Sequence, residues 1–331
     1  MALRPPLPVL LLGLLASLAG WPAAAIELGL PLACVPGETC WLVRYLDHDP
    51  GPGFADYRCG GLGADGHNGT DFALADPRAM QAGVPVLAAA GGVVRSVRDG
   101  VPDQPEDGST SYDPGPRTCG NGVLVDHGDG WQTQYCHLRQ GSVAVRPGAS
   151  VARGQPLGLV GMSGEANFPH LHLTVRRADV VLDPFTGTSG EEGCHAAPAT
   201  SLWQPEVARS LAYVAVPIAV VGLADHLPGH AEIVRGTAGA ATLRQDSAAL
   251  VAYSLAYGIA QGDRIELAIT GPDGGEVHRA AFTAEQDAPR ATRSAGLRRP
   301  GGGWPPGTYR AEITVRRGGQ AWSRSALRQL D

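Results

Sequence analysis

"GNGVLVDHGDGWQTQYCHL", residues 120–138, is the stretch on which the fold class turns. Val123–His127 and Trp131–His137 are short runs rich in Val and aromatics, on either side of Gly128-Asp129-Gly130. That is the composition of two strands joined by a hairpin turn. Side chains two apart on a strand share a face. Trp131, Thr133, Tyr135 and His137 are therefore expected on one side, and Gln132, Gln134 and Cys136 on the other. His137 ends its strand, where a β-scaffold opens toward a site. Cys119 and Cys136 flank the hairpin and are expected to bridge.

Working outward, "PVLAAAGGVVRSVR" (85–98), "QPLGLVGM" (155–162) and "HLHLTVRRADVVLDPF" (170–185) are further short strand signals bounded by Gly, Pro or Asp. Residues 99–118 lack an apolar pattern and read as a long surface loop. The pattern lapses again over 188–209 and resumes in alternating segments with Gly-rich turns. The fold class is all-β: an antiparallel β-domain over 59–188, followed by a small β-sandwich-like domain over 210–331. Residues 26–58 form an N-terminal segment and 189–209 a linker. The second domain holds His226, His230 and His278 without the spacing of a site, and reads as an accessory that is structural or binds glycan or protein.

Residues 1–25 combine a lone Arg4, an apolar run from Leu7 to Trp21 and the small residues Ala23–Ala25. This is the grammar of a secretory signal, and the run is shorter than the roughly 20 residues of a spanning helix. Cleavage is expected after Ala25, leaving 306 residues in the periplasm or the medium with no membrane anchor. The formal charge of −6 becomes −7 once Arg4 leaves, which gives no support for nucleic-acid binding. No lysine occurs anywhere in the chain. That excludes a biotinyl or lipoyl carrier, whose turn-and-strand grammar "PGASVARGQPLG" shares. Six cysteines without a CxxC point to disulfides in an exported chain: Cys34–Cys40, Cys119–Cys136 and, by elimination, Cys59–Cys194.

The chemistry is carried by histidines. In "FPHLHLTVRR" (168–177), His170 and His172 sit two apart and face the same way. Upstream, His67 and Asp71 stand four apart in "HNGTD". Fully extended, four residues span roughly 13 Å, too far to share one ion, but Asn68-Gly69 is a turn signal that lets the chain curl. With His137 these make five candidates in three segments. Zinc takes imidazole nitrogen and carboxylate oxygen, and a catalytic site keeps three protein ligands and one open position. Two histidines are then left over, suited to proton transfer and to stabilising a charged transition state.

"HNGTD", "QYCHL" and "PHLHL", in that order, resemble the lysostaphin/LytM family of zinc metallopeptidases (metallopeptidase family 23), whose pattern is H-x-G-x-D, a tyrosine-containing segment ending H-L, and H-L-H. The resemblance covers roughly residues 59–186. It implies that His67, Asp71 and His172 bind one zinc ion and that His137 and His170 line the substrate position. It also implies a catalytic domain that cleaves peptide bridges or stems of bacterial peptidoglycan. A non-catalytic wall-binding or amidase-activating protein on the same fold is the alternative, and the filled zinc set speaks against it. "GEANFPHLH" departs from the usual Thr-Gly-Pro-His form, so the cleft wall near Asn167 and Phe168 is expected to differ. Asp47-His48-Asp49 reads as a polar turn, and His127 and His195 as structural. Ser163 does not fit G-x-S-x-G, so no serine-hydrolase elbow is indicated.

Overall fold

The computed structural model describes residues 26–104, 118–194, 200–239 and 241–331. The leader, His195 and most of the 99–118 loop lie outside the described residues. Among the described residues the regular structure is nearly all antiparallel strand, as the alternation predicts.

The main sheet has eight strands. Its spatial order is β1 (Trp41–Arg44), β2 (Thr70–Ala73), β9 (His170–Arg177), β6 (Trp131–Leu138), β5 (Asn121–Gly128), β4 (Gly92–Arg98) and β7 (Ser150–Val151), with β10 (Val180–Leu182) paired to β9. β1 thus belongs to the main sheet, although it lies in the segment before residue 59. A small pair, β3 (Pro85–Leu87) with β8 (Pro156–Leu159), packs alongside. Period-2 alternation divides the sheet into two faces. Phe72, Val123, Val125, Trp131, Tyr135, Leu171, Leu173 and Val175 are buried on one, forming the core. Asp71, Gln134, Cys136, His170, His172, Thr174 and Arg176 line a cleft on the other.

Beyond the helix α1 (Pro77–Ala82) and the connecting helix α2 (Pro205–Ser210), the chain enters a seven-stranded sandwich. One sheet is β11 (Ile218–Ala224), β12 (Ala249–Ile259) and β15 (Ala288–Arg298), with α3 (His230–Val234) against it. The other is β14 (Glu276–Thr283), β13 (Arg264–Thr270), β16 (Gly307–Arg317) and β17 (Gln320–Leu330). Leu250, Leu267, Ile269, Trp304, Ile313 and Val315 fill the space between them.

A third apolar cluster joins the two domains. Trp41, Tyr45, Leu62 and Phe168 from the first pack with Ala219, Ile233, Leu255 and Tyr257 from the second. All three expected disulfides are formed: Cys34–Cys40, Cys59–Cys194 and Cys119–Cys136. No helix among the described residues is long and apolar enough to cross a membrane.

Candidate active site

The strand pairing lays the site out in rows. Asp71 on β2 is the register partner of His172 on β9, and His172 that of Cys136 on β6. Arg44 on β1 faces Asp71 from the other side. The turn before β2 presses against β9, and Gly69 is what allows it. A Cβ there would meet the Leu173 carbonyl at 2.5 Å and His172 Nε2 at 2.6 Å. This close approach brings His67 back over Asp71, so the two residues four apart converge.

His67, Asp71 and His172 each offer one ligand atom, and these lie within 4.8 Å of one another. His67 Nε2 is 3.2 Å and His172 Nδ1 2.9 Å from Asp71 Oδ1. The nitrogen of each ring that points away is bonded to oxygen. His67 Nδ1 donates to the Tyr45 carbonyl at 2.7 Å, and His172 Nε2 to Asn68 Oδ1 at 3.1 Å. In a neutral ring this leaves the lone pair on the nitrogen turned to Asp71, the arrangement of metal-binding histidines with their outer hydrogen bonds, whereas a protonated ring donates from that nitrogen to the carboxylate. Two imidazole nitrogens and a carboxylate oxygen form a donor set suited to zinc.

Burial by itself would raise the Asp71 carboxyl. The opposing pull of His67 and His170, with hydrogen bonds from His172 and His67, holds it well below the usual carboxylate range. Burial likewise works to lower His67, but Asp71 and the Tyr45 carbonyl outweigh it and raise the ring above its ordinary value.

His137 and His170 stand together beside this cluster, ring centres 4.6 Å apart. His137 Nδ1 donates to the Ser163 carbonyl and His170 Nδ1 to the Phe168 carbonyl, both at 2.8 Å. A carbonyl only accepts, so the proton sits on Nδ1 in each and Nε2 is a bare acceptor. Burial pushes both rings below the ordinary imidazole value, His137 further because His170 and His172 add to it. Both are neutral bases near pH 7.

His137 departs from the expected alternation, which places it with Trp131 and Tyr135 in the core. β6 carries a bulge there: Asn121 pairs with Leu138, but Val123 pairs with Tyr135. His137 takes a left-handed backbone, φ 64°. The extra residue re-aims the side chain to the cleft face, a use of bulges common beside active sites. Its N–H donates to the Cys119 carbonyl and its own carbonyl accepts from Gly161, which holds the conformation.

Around these five, the cleft is about 780 Å³ and is lined also by Arg44, Asn68, Gln134, Thr174 and Arg176. Arg44 Nη1 lies 3.8 Å from Asp71 Oδ2 and the guanidinium stands over the Phe168 ring. Phe168 in turn stacks on His170, centres 4.4 Å apart. Neither Arg44 nor the three carbonyl acceptors carries a signal in the sequence. Asp47-His48-Asp49 is structural, though not a surface turn. Asp47 accepts from Asp49, Ala55 and Gly66, and His48 is buried against Asp183 at 2.8 Å. His127 bonds the Gly91 carbonyl and Thr133. His226, His230 and His278 stay on the second domain, away from the cleft.

Residues 65–184 match the model of peptidase family M23. They are an M23 peptidase domain. The match spans His67, Asp71, His137, His170 and His172. The chain is 39% identical over 101 residues to the cell division protein DipM of Caulobacter vibrioides, covering 30% of this chain and 14% of that one. It is 37% identical over 106 residues to the peptidoglycan DD-endopeptidase ShyA of Vibrio cholerae, covering 32% and 19%. The chain therefore spans less than a fifth of the length of either relative. Among solved structures, the catalytic domain of lysostaphin from Staphylococcus simulans is 24% identical, covering 40% of this chain and 86% of that one, with a low TM-score of 0.27.

Proposed function

We propose that the chain is an exported zinc-dependent endopeptidase that hydrolyses peptide cross-links or stems of bacterial peptidoglycan. The observation that carries this reading is the convergence, in one cleft, of three side chains able to hold a metal ion and two neutral histidines beside them. The sequence likeness to a peptidoglycan DD-endopeptidase supports the substrate. Three disulfides favour an oxidising compartment, in keeping with the leader.

His67, Asp71 and His172 would hold zinc through His67 Nε2, a carboxylate oxygen of Asp71 and His172 Nδ1. Bound there, zinc supplies Lewis-acid polarisation of the scissile carbonyl and lowers the pKa of water. The rest falls to side chains of the protein. The Nε2 atoms of His137 and His170 accept the proton released by the attacking water, and a protonated ring returns it to the leaving amine. Each imidazolium, while it lasts, stabilises the developing oxyanion. The Ser163 and Phe168 carbonyls keep both rings in the tautomer that can do this.

Alanine substitution separates the two groups. His67→Ala, Asp71→Ala and His172→Ala are expected to lose bound zinc. His137→Ala and His170→Ala are expected to keep most of it while turnover falls about 10²–10⁴-fold. Zinc content by mass spectrometry and release of soluble wall peptides check both halves. Undiminished turnover across the set rules the assignment out.

A further inference from the structure

Arg176 lies on β9 and lines the cleft with His170, His172 and Thr174. Its Nη1 donates to Gln134 Oε1 at 2.7 Å. Gln134 donates in turn to the sulfurs of Cys119 and Cys136, at 3.4 and 3.3 Å. The disulfide orients the amide, and the amide orients the guanidinium. Gln134 is the register partner of Thr174, one same-face step from the Asp71–His172–Cys136 row. That step is about 7 Å, the length of two residues of extended peptide. The guanidinium is thus drawn back along β9 toward the ligand row.

The two cleft arginines differ in how their charge is met. Arg44 has Asp71 at 3.8 Å and the Phe168 ring beneath it. Arg176 forms no ion pair among the described residues, and Asp179 acts on it only through space. Half-burial pushes its guanidinium below the ordinary value. The other acids of the cleft, Asp65 and Glu165, come from loops rather than from β6 or β9. A guanidinium has five donors in a planar fork that matches a carboxylate. Here that fork is pre-set by Gln134 and faces a peptide-sized cleft.

We propose that Arg176, held by Gln134, binds a free carboxylate of the substrate within one or two residues of the scissile bond. The site thereby selects acidic stem peptides over uncharged glycine bridges. This deepens the peptidase reading and rests on it. The test uses the zinc-loaded full chain and two synthetic cross-linked stem-peptide dimers, one with free carboxylates and one with them amidated. The ratio of kcat/KM for the two is read in the natural protein, in Arg176→Gln and in Gln134→Leu. The ratio of Kd is read separately in His137→Ala, so the preference is scored even where neither dimer is cleaved.

The natural protein is expected to favour the free-acid dimer by about tenfold to a hundredfold, the worth of a charge-assisted pair. Arg176→Gln is expected to bring the ratio near one, and Gln134→Leu to lower it in part. Equal treatment of the two dimers by the natural protein, or an unchanged ratio in Arg176→Gln, overturns the proposal. Failure to cleave either dimer, with the Kd preference intact, tells against the peptidase reading and leaves the carboxylate site standing.

Discussion

An imidazole withdrawn from water costs the folded chain something when it is protonated. Outside the cleft, His127 shows this cleanly. Burial pushes it below the ordinary value despite its bond to the Gly91 carbonyl and the nearby charge of Asp126. The unfolded chain therefore takes up this proton first. The contribution is whole above the unfolded value of about 6.5 and is lost as pH falls below it. His127→Asn should make the acid fall of Tm between pH 7 and 5.5 shallower. An equally steep slope in the variant contradicts this. At this scale four of the five candidate site residues were legible because two spacings, H-x-H on a strand and H-x-x-x-D around Asn-Gly, constrain where side chains point; His137 had only its place at a strand end. Their partners were not. The carbonyls of Tyr45, Ser163 and Phe168 belong to the backbone, which any side chain would equally supply. Arg44 and Arg176 look like ordinary strand ends until the sheet places them.

Among the elements, the contact between the turn before β2 and strand β9 brings His67, Asp71 and His172 together. Gly69→Ala forces a methyl against the Leu173 carbonyl, which cannot move without opening the β2–β9 ladder, and against the His172 ring, which must turn out of its place to make room. The expected cost is about 1–3 kcal/mol of stability, with weaker zinc binding, measured by thermal melts with and without zinc. An unchanged melt and full zinc affinity contradict the role given to this glycine. The strands themselves could be read from alternation and turn residues, and so could the hairpin and its disulfide. The bulge at His137 could not. It depends on Asn121 bonding back to Leu138 and Val101, long-range contacts that no local pattern encodes. β1 was hidden for a similar reason: four residues of alternation between loops carry little signal, and its place in the sheet is set by pairing with β2.

At the scale of the molecule, the second domain is packed onto the first rather than strung beside it. Tyr257 and Arg290 reach Phe168, with ring centres 5.8 Å apart and the guanidinium at 5.6 Å, and Phe168 stacks on His170. Cutting the chain after Arg209 uncovers Trp41, Tyr45 and Phe168, at about 1.5–3 kcal/mol for each large side chain left exposed. The truncated form should melt well below residues 26–331 and turn over more slowly at similar zinc content. An unaltered Tm and rate would mean that the two domains are energetically independent. The most direct measurement is simpler. Residues 26–331, prepared under oxidising conditions, are incubated with purified cell-wall sacculi, with a zinc chelator, and with zinc restored. The account predicts new peptide amino termini that vanish with chelator and return with zinc. Intact sacculi from folded, zinc-loaded protein would contradict it.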